Sequence, residues 1–111
     1  MKVERQKVGT VDVLRPIGPL IDQDVEPFAK ALGERVRTPN PRVVVAMQEV
    51  PYLDSVALER LLEAADELSD RAMSLKLAGL SPACREILEI TGLAGKFSLF
   101  TDVQDAVRSF L

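Results

Sequence analysis

RVVVAMQEVPYLDSVALERLLEAADELSDR, residues 42–71, is the stretch whose reading decides the fold. Val43, Val44, Val45, Ala46 and Met47 form an unbroken apolar run, the pattern of a strand covered on both faces. Farther on, Leu58, Leu61, Leu62, Ala65 and Leu68 fall on one stripe of a helix, with Glu59, Arg60, Glu63, Asp66, Glu67 and Asp70 on the opposite side. The two patterns predict a buried strand, a tight hinge and an amphipathic helix that begins just after Asp54-Ser55. A serine at that point has two uses. It caps the first free backbone N–H groups, or it offers its hydroxyl to a partner at the positive end of the helix dipole. Asp54 is open to the same two readings, because it too could cap the helix.

Working outward toward the N-terminus, residues 3–7 and 10–15 alternate around Gly9 and predict a hairpin. In its second arm Val11, Val13 and Arg15 face one way, and Thr10, Asp12 and Leu14 the other. Pro16, Gly18 and Pro19 are expected to stop that strand. Asp22 or Asp24 can cap the next helix, whose stripe is Val25, Phe28, Ala29, Leu32 and Val36, with Pro27 tolerated in the first turn. The run TPNP, residues 38–41, breaks it. Toward the C-terminus, residues 74–80 read as a strand, and Ser81-Pro82 as a helix start with serine as cap and proline in the first helical position. That helix carries Cys84, Ile87, Leu88 and Thr91 and is closed by Gly92. Residues 97–100 make a short last strand. Thr101 and Gln104 have capping-box spacing before a final helix with Val103, Ala106, Val107 and Phe110 on its apolar face. The order implies an α/β fold, a mixed and mostly parallel sheet of about five strands with about four helices joined by crossovers. The last strand is so short that the sheet should thin at that edge.

A chain of 111 residues is expected to form a single domain, 1–111, with one core. With 47% apolar and 28% charged residues it has the composition of a globular protein, not a disordered one. No apolar run approaches the roughly 18 residues that span a bilayer, and MKVERQKVGTVDV lacks the apolar block of a signal peptide. One cysteine cannot form an internal disulfide, so a cytoplasmic protein without membrane insertion is expected. The net charge of −3, with Lys and Arg scattered, argues against a nucleic-acid surface. The absence of histidine excludes His-based triads and most zinc sites, and no glycine-rich phosphate loop occurs. An enzyme would have to work with carboxylates and hydroxyls alone, no cofactor is expected, and Asp22, Asp24 and Glu26 read as helix-start residues, not a metal site. Cys84 reads as a small buried residue, although a place in the first helical turn could lower its pKa.

The segment Tyr52-Leu53-Asp54-Ser55-Val56-Ala57-Leu58 resembles the motif of the STAS domain family, the sulfate-transporter and anti-sigma-factor-antagonist fold. Members carry an Asp-Ser-Ser/Thr-Gly-Leu-like turn there, entered from a buried strand. Gly18-Pro19-Leu20, Leu80-Ser81-Pro82 and Thr91-Gly92-Leu93 followed by Phe97 match further elements of the family in order and spacing. The resemblance implies a β-α superhelix and a binding role without catalysis. In the bacterial antagonists the serine after the aspartate is phosphorylated by an anti-sigma factor with serine-kinase activity, and the unphosphorylated form captures that factor. Carried onto this chain, Ser55 is the phosphoacceptor, and Asp54, Ser55, Val56, Glu59, Asp22 and Asp24 form the partner surface. Val56 and Ala57 stand where the motif has its second hydroxyl residue and its glycine. They suit the alternative within the family: a subunit of a stressosome-like scaffold, or of an ABC lipid-transport complex bound to its ATPase subunit without phosphorylation.

Overall fold

The computed structural model describes residues 1–111. Strands β1 (Lys2–Val8) and β2 (Val11–Ile17) form an antiparallel hairpin, turned at Gly9 with a φ of 61°, a conformation glycine adopts without steric cost. A 3-10 turn at Asp22–Asp24 leads into helix α1 (Val25–Val36). Then follow β3 (Val43–Ala46), α2 (Ser55–Ser69), β4 (Lys76–Ala78), α3 (Pro82–Ile90), β5 (Ser98–Phe100) and α4 (Val103–Arg108). The five strands lie in the order β1-β2-β3-β4-β5, and every pairing after the hairpin is parallel. This is the mixed, mostly parallel sheet with four helices that the alternation of patterns predicts.

Alternation along β3 explains the layers. Val43, Val45 and Met47 join the larger core cluster with residues of α1, α2 and α3, while Val44 and Ala46 join a smaller one with Ala106 of α4. The strand is buried on both faces, as its unbroken apolar run demands. Register carries the same division sideways: Val13 pairs with Val44 and packs on the α4 side, whereas Leu14 pairs with Val45 and packs under the other three helices. Strands laid down one after another in one direction, with connections of the same hand, put all the crossover helices on one face. The opposite face is left to α4, which turns back from β5 across β4 and β3.

Three local expectations give way to tertiary context. Pro16 continues β2 instead of ending it, opposite Val3 of β1. Asp12 and Gly18 send their N–H groups to the Arg42 and Glu49 carbonyls, away from β1. Proline at position 16 has the same parity, so its missing donor falls beyond the Asp12–Leu14 stretch that pairs with β3, where it costs no ladder bond. The strand expected over residues 74–80 is only Lys76–Ala78, because its neighbour β5 offers three residues to pair with. The last helix is capped by Asp102, whose carboxylate accepts the Asp105 N–H at 2.8 Å, and not by Thr101.

Ala46 and Ala78 of the sheet meet Ala106 of α4 in the smaller core cluster, and their small side chains let the short helix lie close to the sheet. Ala78→Leu should overpack this cluster and cost about 1–3 kcal/mol, whereas Leu61→Ala, a cavity in the larger core, should cost about 2–5 kcal/mol. Urea unfolding of the two variants checks both values.

Candidate functional site

Beyond the C-terminal ends of the central strands, three loops are tied together. The Gly18 N–H donates to the Glu49 carbonyl at 2.9 Å, Leu20 N–H to Tyr52 at 3.1 Å, and Asp54 N–H back to Leu20 at 3.0 Å. Leu20 and Leu53 form a parallel bridge, so the loops after β2 and β3 run on as an extension of the sheet. Leu53 is buried and Tyr52, the next residue in the alternation, is 47% exposed. The third loop joins through Ser81. Its hydroxyl donates to the Pro51 carbonyl at 3.0 Å and accepts the Cys84 N–H at 3.2 Å, serving as the helix cap its Ser-Pro pattern predicts.

Asp54 resolves the ambiguity at the start of α2. Its backbone is extended, with φ −93° and ψ −180°, which turns the carboxylate over the first helical turn. One oxygen accepts the Ala57 N–H at 2.9 Å, and the other accepts the Asp22 N–H, also at 2.9 Å, from the loop after β2. Asp22 has a φ of 51°, a left-handed conformation that aspartate tolerates better than most residues. The Ala57 bond first, and then the Asp22 bond, hold the Asp54 carboxyl below its ordinary value, as expected when N–H donors favour the charged form.

Capping therefore falls to Asp54, and Ser55 becomes the first helical residue. Its side chain is exposed. The Ser55 N–H has no acceptor within the chain, and the Val56 N–H faces the Asp54 carboxylate without a bond of good geometry. The corner thus presents an untied hydroxyl, two backbone donors and one ionised carboxylate. Val56 beside it is 45% exposed, and Ala57 is fully buried.

The residues expected to form the partner surface divide. Asp54, Ser55, Val56 and Asp22 belong to the corner, and Glu59 lies exposed one turn along α2. Asp24 turns elsewhere, with its carboxylate 3.1 Å from the Met1 amine. Neither Asp22 nor Asp24 caps α1 by its side chain. The 3-10 turn enters α1 directly, so Asp24 has a helical backbone in place of the extended one a cap needs. Glu26 pairs with Arg60 of α2. Cys84 is fully buried with its thiol toward the Val50 carbonyl. Burial pushes that thiol up, which overturns the reading that its first-turn position lowers it. The exposure of Tyr52 at the corner and the Ser81–Pro51 tether escaped the sequence reading. The alternation of Tyr52 with Leu53 was the available signal for the first, and nothing local signals the second. No helix is long and apolar enough to cross a membrane.

Comparison with known proteins follows the same lines. The STAS domain family model matches residues 2–106. An anti-sigma factor antagonist from Mycobacterium paratuberculosis superposes with a TM-score of 0.83 at 26% identity, over 97% of this chain and 92% of that one. An anti-sigma-factor antagonist (STAS) domain protein from Planctomyces limnophilus gives a TM-score of 0.82 at 18% identity, covering 96% of both chains. The Bacillus cell fate determinant SpoIIAA in its phosphorylated form gives 0.77 at 19% identity, over 99% of this chain and 100% of that one. No curated protein matches the chain significantly in sequence.

Two outcomes follow from the division of labour at the corner. Ser55→Ala should leave stability within about 0.5 kcal/mol of the native chain, while Asp54→Ala, which frees two backbone donors, lowers the thermal midpoint clearly. A carboxyl held below its unfolded value of about 3.9 stabilises the fold above that pH and loses its contribution as pH falls through the folded value. The Ala57 and Asp22 amide resonances should therefore move together in a single titration centred below about pH 3.9, read by NMR.

Proposed function

The chain belongs to the STAS domain family, and on that premise we propose that it is an anti-sigma-factor antagonist switched by phosphorylation of Ser55. Acting as a single cytoplasmic domain, it captures an anti-sigma factor with serine-kinase activity while Ser55 is unmodified, and it releases that partner once Ser55 carries phosphate. The observation that carries this reading is the untied Ser55 hydroxyl, exposed on the first turn of α2 while Asp54 does the capping. Modification there breaks no hydrogen bond of the fold.

The physics of the switch follows from what surrounds the hydroxyl. Phosphate adds about −1.5 to −2 charge, and a helix N-terminus with free N–H groups accommodates an anion well. The domain therefore stays folded. A docked partner, by contrast, meets the phosphate beside the ionised Asp54 and the Glu59 carboxylate, and has to strip water from all of them. A penalty of about 3 kcal/mol lowers affinity more than a hundredfold, enough to separate bound from free.

A second reading draws on Tyr52 and Val56, exposed at 47% and 45% on the residues flanking Asp54-Ser55. Apolar groups at that place suit a constant contact, as in a stressosome-like scaffold or with the ATPase subunit of an ABC lipid-transport complex, where no phosphoserine is needed.

The two separate in one experiment. The chain and its Ser55→Asp variant are used to capture partners from the native cell extract, and Ser55 is checked for phosphate by mass spectrometry. The antagonist reading expects phosphate on Ser55, an unchanged thermal midpoint for Ser55→Asp and a loss of binding of about a hundredfold. Equal capture by both forms, with Ser55 unmodified, defeats it and selects the second reading.

A further inference from the structure

We propose that Arg5 of β1 and Arg35 of α1 form a binding site for a small oxyanion of the phosphate and sulfate class, away from the Ser55 corner. A cleft of about 200 Å³ lies between the β1–β2 hairpin and the C-terminal part of α1, lined among others by Arg5, Lys7, Asp12 and Arg35. Register explains the convergence. Arg5 stands opposite Leu14 and Lys7 opposite Asp12, and Leu14 belongs to the core beneath α1. Alternation then places Arg5 and Lys7 on the α1 side of the sheet, where Arg35 reaches them in the last turn of the helix.

The cleft holds more positive charge than the protein neutralises. Its one carboxylate, Asp12, is already engaged, 3.4 Å from the Lys7 ammonium. Arg5 and Arg35 take part in no ion pair. By contrast, Arg37, Arg42, Arg60, Arg71 and Arg108 each have an acceptor within the chain. The Arg35 Nε is moreover buried with no protein acceptor, a rare condition for a buried donor. Two guanidinium groups without protein acceptors thus meet in one cleft of a chain whose net charge is −3.

That arrangement selects its ligand by chemistry. A guanidinium presents a planar fork of donors that fits the oxygens of phosphate or sulfate two at a time. The surplus of positive charge repels cations and favours an anion. The wider cleft bounded by Arg42 and Lys76 differs, because its cations already have partners. The Lys76 ammonium lies 3.8 Å from the Phe110 ring centre, and Arg42 donates to the Thr10 hydroxyl at 3.0 Å.

The test is a titration of the full, ¹⁵N-labelled chain with inorganic phosphate at constant ionic strength, sodium chloride being the compensating salt. The arginine Nε–Hε resonances report binding. Arg5 and Arg35 are expected to shift and saturate with a common midpoint, and sulfate should reproduce the response. Arg5→Gln and Arg35→Gln should each weaken binding about tenfold, while Arg85→Gln, an exposed arginine of α3, changes nothing. Arg35→Lys keeps the charge and the helix but loses the fork, so it should weaken phosphate binding while the amide spectrum stays native. Shifts that never saturate, an equal response to chloride, or equal weakening by Arg85→Gln would each reduce the effect to general ionic strength and overturn the proposal. Binding to vesicles containing phosphatidic acid without any response to free phosphate also overturns it, in favour of a membrane surface.

Discussion

The candidate site depends on a single carboxylate, that of Asp54, which accepts two backbone N–H groups, one from Asp22 in the loop after β2 and one from Ala57 in the first turn of α2. Such a bond pair does two things at once. It satisfies a donor at the helix N-terminus, where intrahelical partners are lacking, and it fixes the loop after β2 against the start of α2. Because the cap is Asp54, the neighbouring serine has no structural task. A hydroxyl released from the work of holding the fold together is free to meet another molecule.

The fold delivers this corner through β3. A four-residue strand buried on both faces is pinned in register, since a slip by one residue would exchange its two sets of side chains. With β3 pinned, the backbone bonds that continue past its end to Leu20, Tyr52 and Asp54 inherit the same precision. The Ser81 hydroxyl adds a tie from the next crossover. The corner is thus an outgrowth of the sheet, held on one side by ladder bonds and on the other by a helix cap. The corner lies within residues 2–106, the span that matches the STAS domain family.

The charges are distributed to match. Acidic groups gather around the corner and along α2, while two guanidinium groups without protein acceptors share the cleft behind the β1–β2 hairpin, by the opposite end of α1. A protein of net charge −3 therefore carries a local positive site, a contrast that composition averages away.

Sequence by itself determined the order of elements, because each long element carries its own period: the unbroken run of β3, the stripes of α1 and α2, the Ser-Pro start of α3. It placed Asp54 and Ser55 at the start of α2, since Asp-Ser at a helix start is a local pattern. It could not decide between Asp54 and Ser55 as the cap. Both side chains are able to reach the first turn, and the choice rests on which backbone is extended, which the Leu20 ladder sets from across the sheet. The same reason explains Pro16, an apparent strand breaker whose missing donor faces a side where no ladder bond is required. It explains Asp24 as well, denied its cap by a 3-10 turn that leads straight into the helix. Pairing across the sheet also brings Arg5 and Arg35 to one cleft, although thirty residues of chain separate them. Periodicity is a property of neighbours along the chain, and only the assembled sheet decides what those neighbours face.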